Sequence, residues 1–215
     1  GFGQLILATG SRPAALPMLP VDGERVLDSD QLLAAEHLPR RLVVVGGGVI
    51  GCEFASIYRS FGVEVQVIEL LDRLLPGMDP QLGKLLKRSL AKRGIGILLK
   101  TGVEGLREKV GGPGLEVILP EGKTLDCDQV LVAVGRRAVS FDMGLEEAGL
   151  RLEKACVQVD EQMHSGVGSI YAIGDLVGKT WLAHTAAHEG EVAAACALGQ
   201  DRRMEYGAVP GVVFC

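Results

Sequence analysis

The chain has 215 residues, a net charge of −5 and 47% apolar residues, which is enough for one large domain or two small ones with real cores. The negative charge and the lack of a basic run argue against nucleic acid as a partner. No apolar segment reaches the roughly 18 residues of a membrane span, and the first ten residues lack the charged start of a signal peptide. Abundant glycine with few aromatic residues favours an α/β fold.

The cysteines are odd in number and widely scattered: Cys52, Cys127, Cys156, Cys196 and Cys215. Without a close pair they predict neither a disulfide framework nor a cysteine-based zinc site. Each is interpreted as a buried, reduced thiol. This favours a reducing, intracellular compartment.

The first predicted elements are short. A buried strand is expected over residues 4–9, followed by an extended linker that carries Pro13, Pro17 and Pro20. A short helix is expected over residues 28–38, with Asp28 or Ser29 as its N-cap.

The next elements surround a glycine turn. The apolar run 42–45 leads into Gly46-x-Gly48-x-x-Gly51, a helical pattern follows from 50 to 61, and a second apolar run, 63–68, ends on Glu69. Gly46 allows a tight turn, Gly48 lets a pyrophosphate approach the backbone, and Gly51 lets the helix pack close to the sheet. The start of the helix offers free N–H groups to phosphates. Strand, turn, helix and acid together predict a dinucleotide site.

Glu69 is expected to accept hydrogen bonds from both ribose hydroxyls of the dinucleotide. Its charge would repel a 2′-phosphate, so the sequence favours NAD over NADP. Arg73 is the nearest cation and would soften this preference. The structural alternative is a glycine-rich turn that binds nothing.

Beyond this unit, Asp79 and Pro80 predict a helix that runs to about Arg93. Short strands follow in the pattern of a β-meander placed before the last strand of the nucleotide domain, over residues 96–100, 102–107, 115–119, 123–126 and 129–134. A buried strand over 170–173 and an alanine-rich helix over 182–198, closed by Gly199, come last.

Four motifs, in this order and spacing, resemble the flavoprotein disulfide reductases of the pyridine nucleotide-disulfide oxidoreductase family. They are LILATGSRP (5–13), VVVGGGVIGCE (43–53) with VQVIE (65–69), VLVAVGRR (130–137), and IYAIGDLVG (170–178) with WLAHTAAHEG (181–190). Within the family, LAH (182–184) and LLPGMD (74–79) are similar to the dihydrolipoamide dehydrogenases. Glutathione reductases, which prefer NADPH, carry arginines where Glu69 and Leu75 stand.

The resemblance implies an α/β architecture: a Rossmann-like βαβ nucleotide-binding domain with a β-meander, and part of a second, FAD-binding Rossmann-like domain. Residues 1–28 would end the first FAD segment, and residues 29–137 would form the NAD domain. Residues 138–206 would return to the FAD domain, and residues 207–215 would open a dimerisation domain. The chain is therefore interpreted as an internal fragment.

The resemblance also assigns binding roles to this chain. Residues similar to the family's FAD contacts are Thr9, Gly10, Ser11, Asp175, Trp181, Leu182, Ala183 and His184. Residues similar to its NAD contacts are Gly46, Gly47, Gly48, Val49, Ile50, Gly51, Cys52, Glu53, Glu69, Val103 and Gly135.

Several of these positions have two interpretations. Glu53 either reaches the nicotinamide end or only interacts with the helix dipole. His184 and His188 have the i, i+4 spacing of a metal site, but the family resemblance favours a helix near the flavin, so no metal is predicted. Glu189 either faces the flavin or is solvated, and Cys52 is expected to pack rather than to react.

The activity that the resemblance implies is oxidation of dihydrolipoamide through a disulfide and FAD, with reduction of NAD⁺. It would make the chain part of the E3 component, a homodimer whose partner is a lipoyl-bearing protein of a 2-oxoacid dehydrogenase or glycine cleavage complex. The family's CxxxxC pair and its His–Glu base are absent from these residues, so no catalytic residue is expected and the isolated chain is expected to be inactive. A cytoplasmic location, or alternatively the mitochondrial matrix, is compatible.

Two alternatives remain open at this point. One is a different flavoprotein disulfide reductase, similar to mercuric reductase or NADH oxidase. The other is a nucleotide-binding piece with no turnover of its own.

Overall fold

A computed structural model describes all residues from 1 to 215. Its four α-helices are α1 (Ser29–Leu33), α2 (Val49–Ser60), α3 (Pro80–Lys92) and α4 (Ala183–Ala197). Its strands are β1 (Leu5–Leu7), β2 (Ser11–Pro13), β3 (Val26–Leu27), β4 (Arg41–Val45), β5 (Glu64–Ile68), β6 (Gly96–Leu98), β7 (Gly105–Glu108), β8 (Leu115–Ile118), β9 (Thr124–Cys127), β10 (Gln129–Val132), β11 (Arg136–Ala138), β12 (Leu152–Glu153), β13 (Cys156–Val157) and β14 (Ile170–Ala172). Two 3₁₀ turns, Pro120–Gly122 and Gly174–Leu176, complete the set.

The chain forms two compact units, each with its own core. The large unit comprises residues 13–135 together with 213–215, and the small unit comprises residues 1–12 together with 136–212. Residues 13–28 thus belong to the large unit, where β3 pairs with β10. The domain ranges that divide at residues 28 and 137 remain predictions.

The large unit is built on a five-stranded sheet in the order β3-β10-β4-β5-β6. Every pairing in it is parallel, and β4 pairs with β5 from Arg41 opposite Glu64 to Val45 opposite Ile68. Parallel strands are covered on both faces and therefore need near-continuous apolar sequence, and Val44 and Val67 are fully buried. The predicted α/β fold with a βαβ unit is confirmed.

The antiparallel part of the large unit is smaller than the run of predicted strands. Only β7, β8 and β9 form the meander, as a three-stranded antiparallel sheet, whereas β6 and β10 are strands of the parallel sheet. The strand predicted from residue 102 begins at Gly105. The reason is that the amides of Lys100 and Thr101 donate to Leu71 and Glu69 in the loop after β5, which keeps this segment out of the meander.

The helices of the large unit begin where their caps predict. Asp79 accepts a hydrogen bond from the amide of Gln81 at 2.7 Å, with Pro80 as the first helical residue. Asp28 and Gln31 form a reciprocal capping box for α1. However, α1 ends at Leu33 rather than near residue 38, because Leu32 alone is buried and one anchored side chain does not offset the ordering cost of further turns.

The small unit contains two strand pairs and α4. β1 pairs with β14 in parallel, and β12 pairs with β13 in antiparallel. The predicted strand over 170–173 and helix over 182–198 are present as β14 and α4. One of its core clusters joins α4 to the segment before β14 and to the segment after α4, through Met163, Tyr171, Val192, Ala193 and Met204.

All five cysteines are free, but they are not all buried as expected. Cys52 and Cys127 are buried, Cys156 and Cys196 are half-buried, and Cys215 is exposed. The interpretation of every cysteine as a packed core thiol is therefore wrong for three of the five. None of the four helices is long and apolar enough to cross a membrane.

Candidate nucleotide-binding sites

The glycine turn between β4 and α2 contains glycines of two kinds. Gly46 has a φ of +115°, and a Cβ there would lie 2.3 Å from the carbonyl oxygen of Ala133. A Cβ at Gly51 would lie 1.9 Å from the carbonyl oxygen of Gly46. The fold itself therefore requires these two glycines. Gly48 differs, since a Cβ there would meet no atom within 4 Å.

Open space at Gly48 is the feature that a pyrophosphate site needs. Gly48 is also the N-cap of α2 and makes no side-chain cap, so the first amides of the helix have no side-chain acceptor there. Such amides, with the positive end of the helix dipole, form a binding site for an anion. Val49 and Ile50, which follow in the first turn, are half-buried.

Glu69 lies just past β5 and is only 8% exposed. Its Oε2 accepts from the amide of Gly47 at 2.6 Å, and its Oε1 accepts from the amide of Leu71 at 2.7 Å. A carboxylate offers about four lone-pair sites, so each oxygen keeps capacity for a ligand hydroxyl. The bond to Gly47 is an addition to the sequence-based expectation: Glu69 also holds the glycine turn.

The loop over residues 73–76, which the sequence analysis did not assign to the site, packs against the glycine turn. Leu74 is fully buried, and a Cβ at Gly47 would lie 2.6 Å from its Cδ2. Leu75 adopts a φ of +52°, and its amide donates to the carbonyl of Gly47 at 2.9 Å. The only signal in the sequence was the LLPGMD motif. Arg73 in the same loop donates to the carbonyl of Pro76 at 3.2 Å.

Glu53 and Cys52 lie beyond the first residues of α2. Glu53 is half-buried, and its Oε1 accepts from the amide of Phe214 at 2.9 Å; the first turn of α2 holds no acidic residue. Burial raises the pKa of the Cys52 thiol to about 12, with Cys215, Glu69 and Glu53 adding to it. A thiol in that state is packed and unreactive at neutral pH.

The two remaining residues in the large unit with a predicted NAD contact are Val103 and Gly135. Val103 is half-buried and packs against the sheet core. Gly135 has a φ of +126° and open space where a Cβ would stand, and its carbonyl accepts from the amide of Ala14 at 2.9 Å.

In the small unit, residues from three distant segments meet at Ser11. Its hydroxyl donates to Oδ2 of Asp175 and accepts from Nε of Arg136 at 2.7 Å. Arg136 also donates to the carbonyl of Ser11 at 3.0 Å and lies 3.9 Å from the Asp175 carboxylate. Beside them Gly10 has a φ of +71°, and Thr9 donates to the carbonyl of Val139 at 2.6 Å. Arg136 was not among the predicted site residues; the GRR sequence at 135–137 was its only signal.

The start of α4 holds polar atoms without partners. Leu182 is the N-cap and makes no side-chain cap. Thr185 is only 2% exposed, and its Oγ1, like that of Thr180, is buried without a hydrogen-bond partner. Of the predicted contacts here, Trp181 is 42% exposed, and Ala183 and His184 are also exposed.

Farther along α4, His188 is exposed, and no group of three His, Cys, Asp or Glu side chains is placed to hold a metal ion. Glu189 is only 1% exposed, so it is not solvated. Both of its oxygens accept hydrogen bonds from within the small unit, from the Gly174 amide and the Tyr206 hydroxyl.

Comparison with known proteins assigns the chain to a family. The sequence profile described as pyridine nucleotide-disulphide oxidoreductase matches residues 1–190. The chain belongs to this family. The resemblance carried by the four motifs is therefore confirmed, and the fold is that of an oxidoreductase family.

Among the relatives of this family are several dihydrolipoyl dehydrogenases. That of Chlamydia pneumoniae is 40% identical over 211 residues, which are 98% of this chain and 45% of the relative. That of Bacillus subtilis is 39% identical over 216 residues, 99% of this chain and 46% of the relative. The crystal structure of LpdA from Mycobacterium tuberculosis superposes with a TM-score of 0.90 at 33% identity, covering 98% of this chain and 46% of LpdA. The chain thus spans a little under half the length of the relatives it matches.

Proposed function

We propose that this chain binds NAD at the glycine turn of its large unit, contributes part of an FAD site in its small unit, and serves a dihydrolipoyl dehydrogenase. The observation that carries the proposal is the contrast within the turn. Backbone atoms exclude a side chain at Gly46 and Gly51, whereas the space at Gly48 is open. The space at Gly48, at the start of α2, is therefore available to a pyrophosphate.

The large unit has the parts that a dinucleotide needs. The pyrophosphate would lie over Gly48 against the amides at the start of α2. The Glu69 carboxylate would accept from the ribose hydroxyls with the lone pairs that Gly47 and Leu71 leave free. Its negative charge disfavours the 2′-phosphate of NADPH.

The small unit fits part of a flavin dinucleotide. Asp175 is held by Ser11 and faces a cation, Arg136, so it is oriented to accept from a ribityl hydroxyl. The unpartnered Oγ1 of Thr185 and the uncapped amides of α4 supply donors for an electron-rich ring edge. We assign the flavin contacts to Thr9–Ser11, Asp175 and residues 181–184.

In the whole enzyme, a bound flavin would take electrons from dihydrolipoamide through a disulfide and pass a hydride to NAD⁺. None of the five cysteines has the CxxxxC spacing, so the isolated chain would bind nucleotides without lipoamide-dependent turnover. We assign the intact enzyme a homodimeric form and a lipoyl-bearing partner. The ranges 1–28, 29–137, 138–206 and 207–215 are proposed as its FAD, NAD, FAD and dimerisation segments.

The NAD assignment is tested by titrating the chain with NADH and NADPH while following nicotinamide fluorescence. NADH should bind at least about tenfold more tightly, a difference of about 1.4 kcal/mol. Glu69→Gln, which removes the charge, should narrow that ratio. The control is Glu64→Gln, an exposed residue at the start of the same strand, which should leave it unchanged. Equal affinity of the wild-type chain for both nucleotides would remove the role of Glu69.

The FAD assignment can be followed by tryptophan fluorescence, because Trp181 is the only tryptophan and lies directly before the N-cap of α4. Added FAD should quench its emission in a saturable way. Absence of quenching while NADH still binds would reject the flavin part of the proposal and leave the NAD part standing.

A further inference from the structure

The small unit contains a buried carboxylate that none of the preceding roles uses. Glu189 lies within α4 and is 1% exposed. Its Oε2 accepts from the amide of Gly174 at 2.6 Å, and its Oε1 accepts from the hydroxyl of Tyr206 at 2.7 Å. Both donors are neutral, so no cation offsets the cost of burying the charge. Such a cost is high, which points to a task beyond packing.

The first of these bonds fixes the turn that carries Asp175. Gly174 has a φ of +70° and opens the 3₁₀ turn Gly174–Leu176 directly after Ile173. Asp175 is the next residue, and its carboxylate meets Ser11 and Arg136. A hydrogen bond from an amide to a carboxylate is about twice as strong as one between neutral groups. Glu189 therefore restricts rotation of the Gly174 backbone, which sets the orientation of the Asp175 side chain.

The second bond anchors Glu189 itself. Burial, and then the hydrogen bond to Glu189, raises the pKa of Tyr206 above its ordinary range, so the phenol keeps its proton and remains a donor at all physiological pH values. The neighbouring Met204 is buried, and its amide donates to the carbonyl of Glu161 at 2.7 Å. The segment 204–206 is thus fixed in place, and Tyr206 satisfies the carboxylate oxygen that Gly174 does not use.

We infer that Glu189 is a positioning residue for the flavin site: it fixes the Gly174 amide, and through it the orientation of Asp175. The inference rests on the proposed FAD function. It extends that function because Glu189 would affect flavin affinity without touching the cofactor, through the backbone that carries Asp175. Tyr206 satisfies the second oxygen of the same carboxylate.

The test compares three variants of the 215-residue chain. Glu189→Gln keeps the shape but removes the charge, and Tyr206→Phe removes the hydrogen bonds of the Tyr206 hydroxyl to Glu189 and to Sδ of Met163. Glu191→Gln is the matched control, because Glu191 is exposed on the same helix. For each we would measure FAD affinity by Trp181 quenching, amide exchange at Gly174 by NMR, and the urea midpoint.

A positioning role predicts different effects for the two buried variants. Glu189→Gln should bind FAD about tenfold more weakly and exchange the Gly174 amide about tenfold faster, as the loss of one charged hydrogen bond implies. Tyr206→Phe keeps the Gly174 bond, so it should change both quantities by no more than about threefold, even with a similar fall in the urea midpoint. Glu191→Gln should match the wild-type chain.

Two results would overturn the inference. One is an FAD affinity of Glu189→Gln within about twofold of the control, given that a lost charged hydrogen bond predicts far more. The other is an equal loss of FAD affinity in Glu189→Gln and Tyr206→Phe in proportion to their urea midpoints, which is the pattern of a merely structural residue. Failure of the wild-type chain to bind FAD would instead reject the proposed flavin function, and the inference with it.

Discussion

Alanine at Gly48 separates the fold of the glycine turn from its binding function. The position has an ordinary φ of −73° as the N-cap of α2, and a Cβ there meets no atom within 4 Å. The variant Gly48→Ala should therefore fold, with a stability change within about 1 kcal/mol, the usual cost of alanine at an N-cap. The same methyl group occupies the space through which a pyrophosphate approaches, so NADH affinity should fall at least about tenfold.

The matched perturbation lies three residues farther along. At Gly51 a Cβ would lie 1.9 Å from the carbonyl oxygen of Gly46 and 3.2 Å from Cγ1 of Val44. Backbone has to move by more than an ångström to relieve that contact, and overpacking of this kind costs about 1–3 kcal/mol or more. Gly51→Ala should therefore lose stability and NADH binding together.

Two measurements on each variant decide the matter: urea unfolding followed by circular dichroism, and NADH titration followed by nicotinamide fluorescence. The expected pattern is a wild-type unfolding curve with weak NADH binding for Gly48→Ala, and a shifted curve for Gly51→Ala. Undiminished NADH affinity in a folded Gly48→Ala variant would refute the reasoning, because it would mean that no phosphate uses the open space.

Three further outcomes follow from the same geometry. Gly83→Ala should lower the free energy of unfolding by about 2 kcal/mol, because its Cβ would lie 2.3 Å from the carbonyl oxygen of Leu74. Gly77→Ala is the control, since a Cβ at Gly77 meets no atom within 4 Å. A Gly83→Ala variant that is more stable than the wild-type chain would contradict this packing. Burial raises the pKa of Cys52 to about 12 from 9.0, so the thiol's contribution to the free energy of unfolding is complete below pH 9 and is lost as pH rises towards 12. In urea unfolding between these pH values, the free energy of unfolding of Cys52→Ala should therefore fall less steeply than that of the wild-type chain, by about 1.4 kcal/mol per pH unit. Equal slopes for the two proteins would disprove this. Arg136→Lys keeps the charge but loses the two-point contact with Ser11, so FAD affinity should fall about tenfold with NADH affinity as the unchanged reference.

The sequence predicts features whose physical cause is local. The apolar runs 42–45 and 63–68 require buried parallel strands, and Asp79 with Pro80 specifies the start of α3. Boundaries that depend on distant contacts are less well predicted. The strand expected from residue 102 starts at Gly105 because the preceding amides are recruited by the loop after β5, and no pattern within the strand itself carries that information.

The contacts that support the candidate sites also cannot be predicted from local sequence patterns. Arg136 reaches Ser11 across 125 positions of the chain, and Leu74 lies under Gly47 from a loop with no periodicity. The motif identifies Glu69 through its spacing, but its bond to Gly47 depends on how the turn and the end of β5 meet in space. Local patterns thus locate the groups that would touch a ligand, and the three-dimensional fold determines what holds those groups in place.

The two units share one structural feature: a buried glutamate side chain that accepts a hydrogen bond from a glycine amide. In each, a nearly buried glutamate accepts from the amide of a glycine at 2.6 Å, Glu69 from Gly47 and Glu189 from Gly174. Both glycines follow the end of a parallel strand, β4 or β14, where the ladder stops and an amide needs an acceptor. A carboxylate satisfies that amide more strongly than water and without water's mobility. In both units, therefore, a buried glutamate supports the backbone of the turn, whether or not the same carboxylate also meets a ligand.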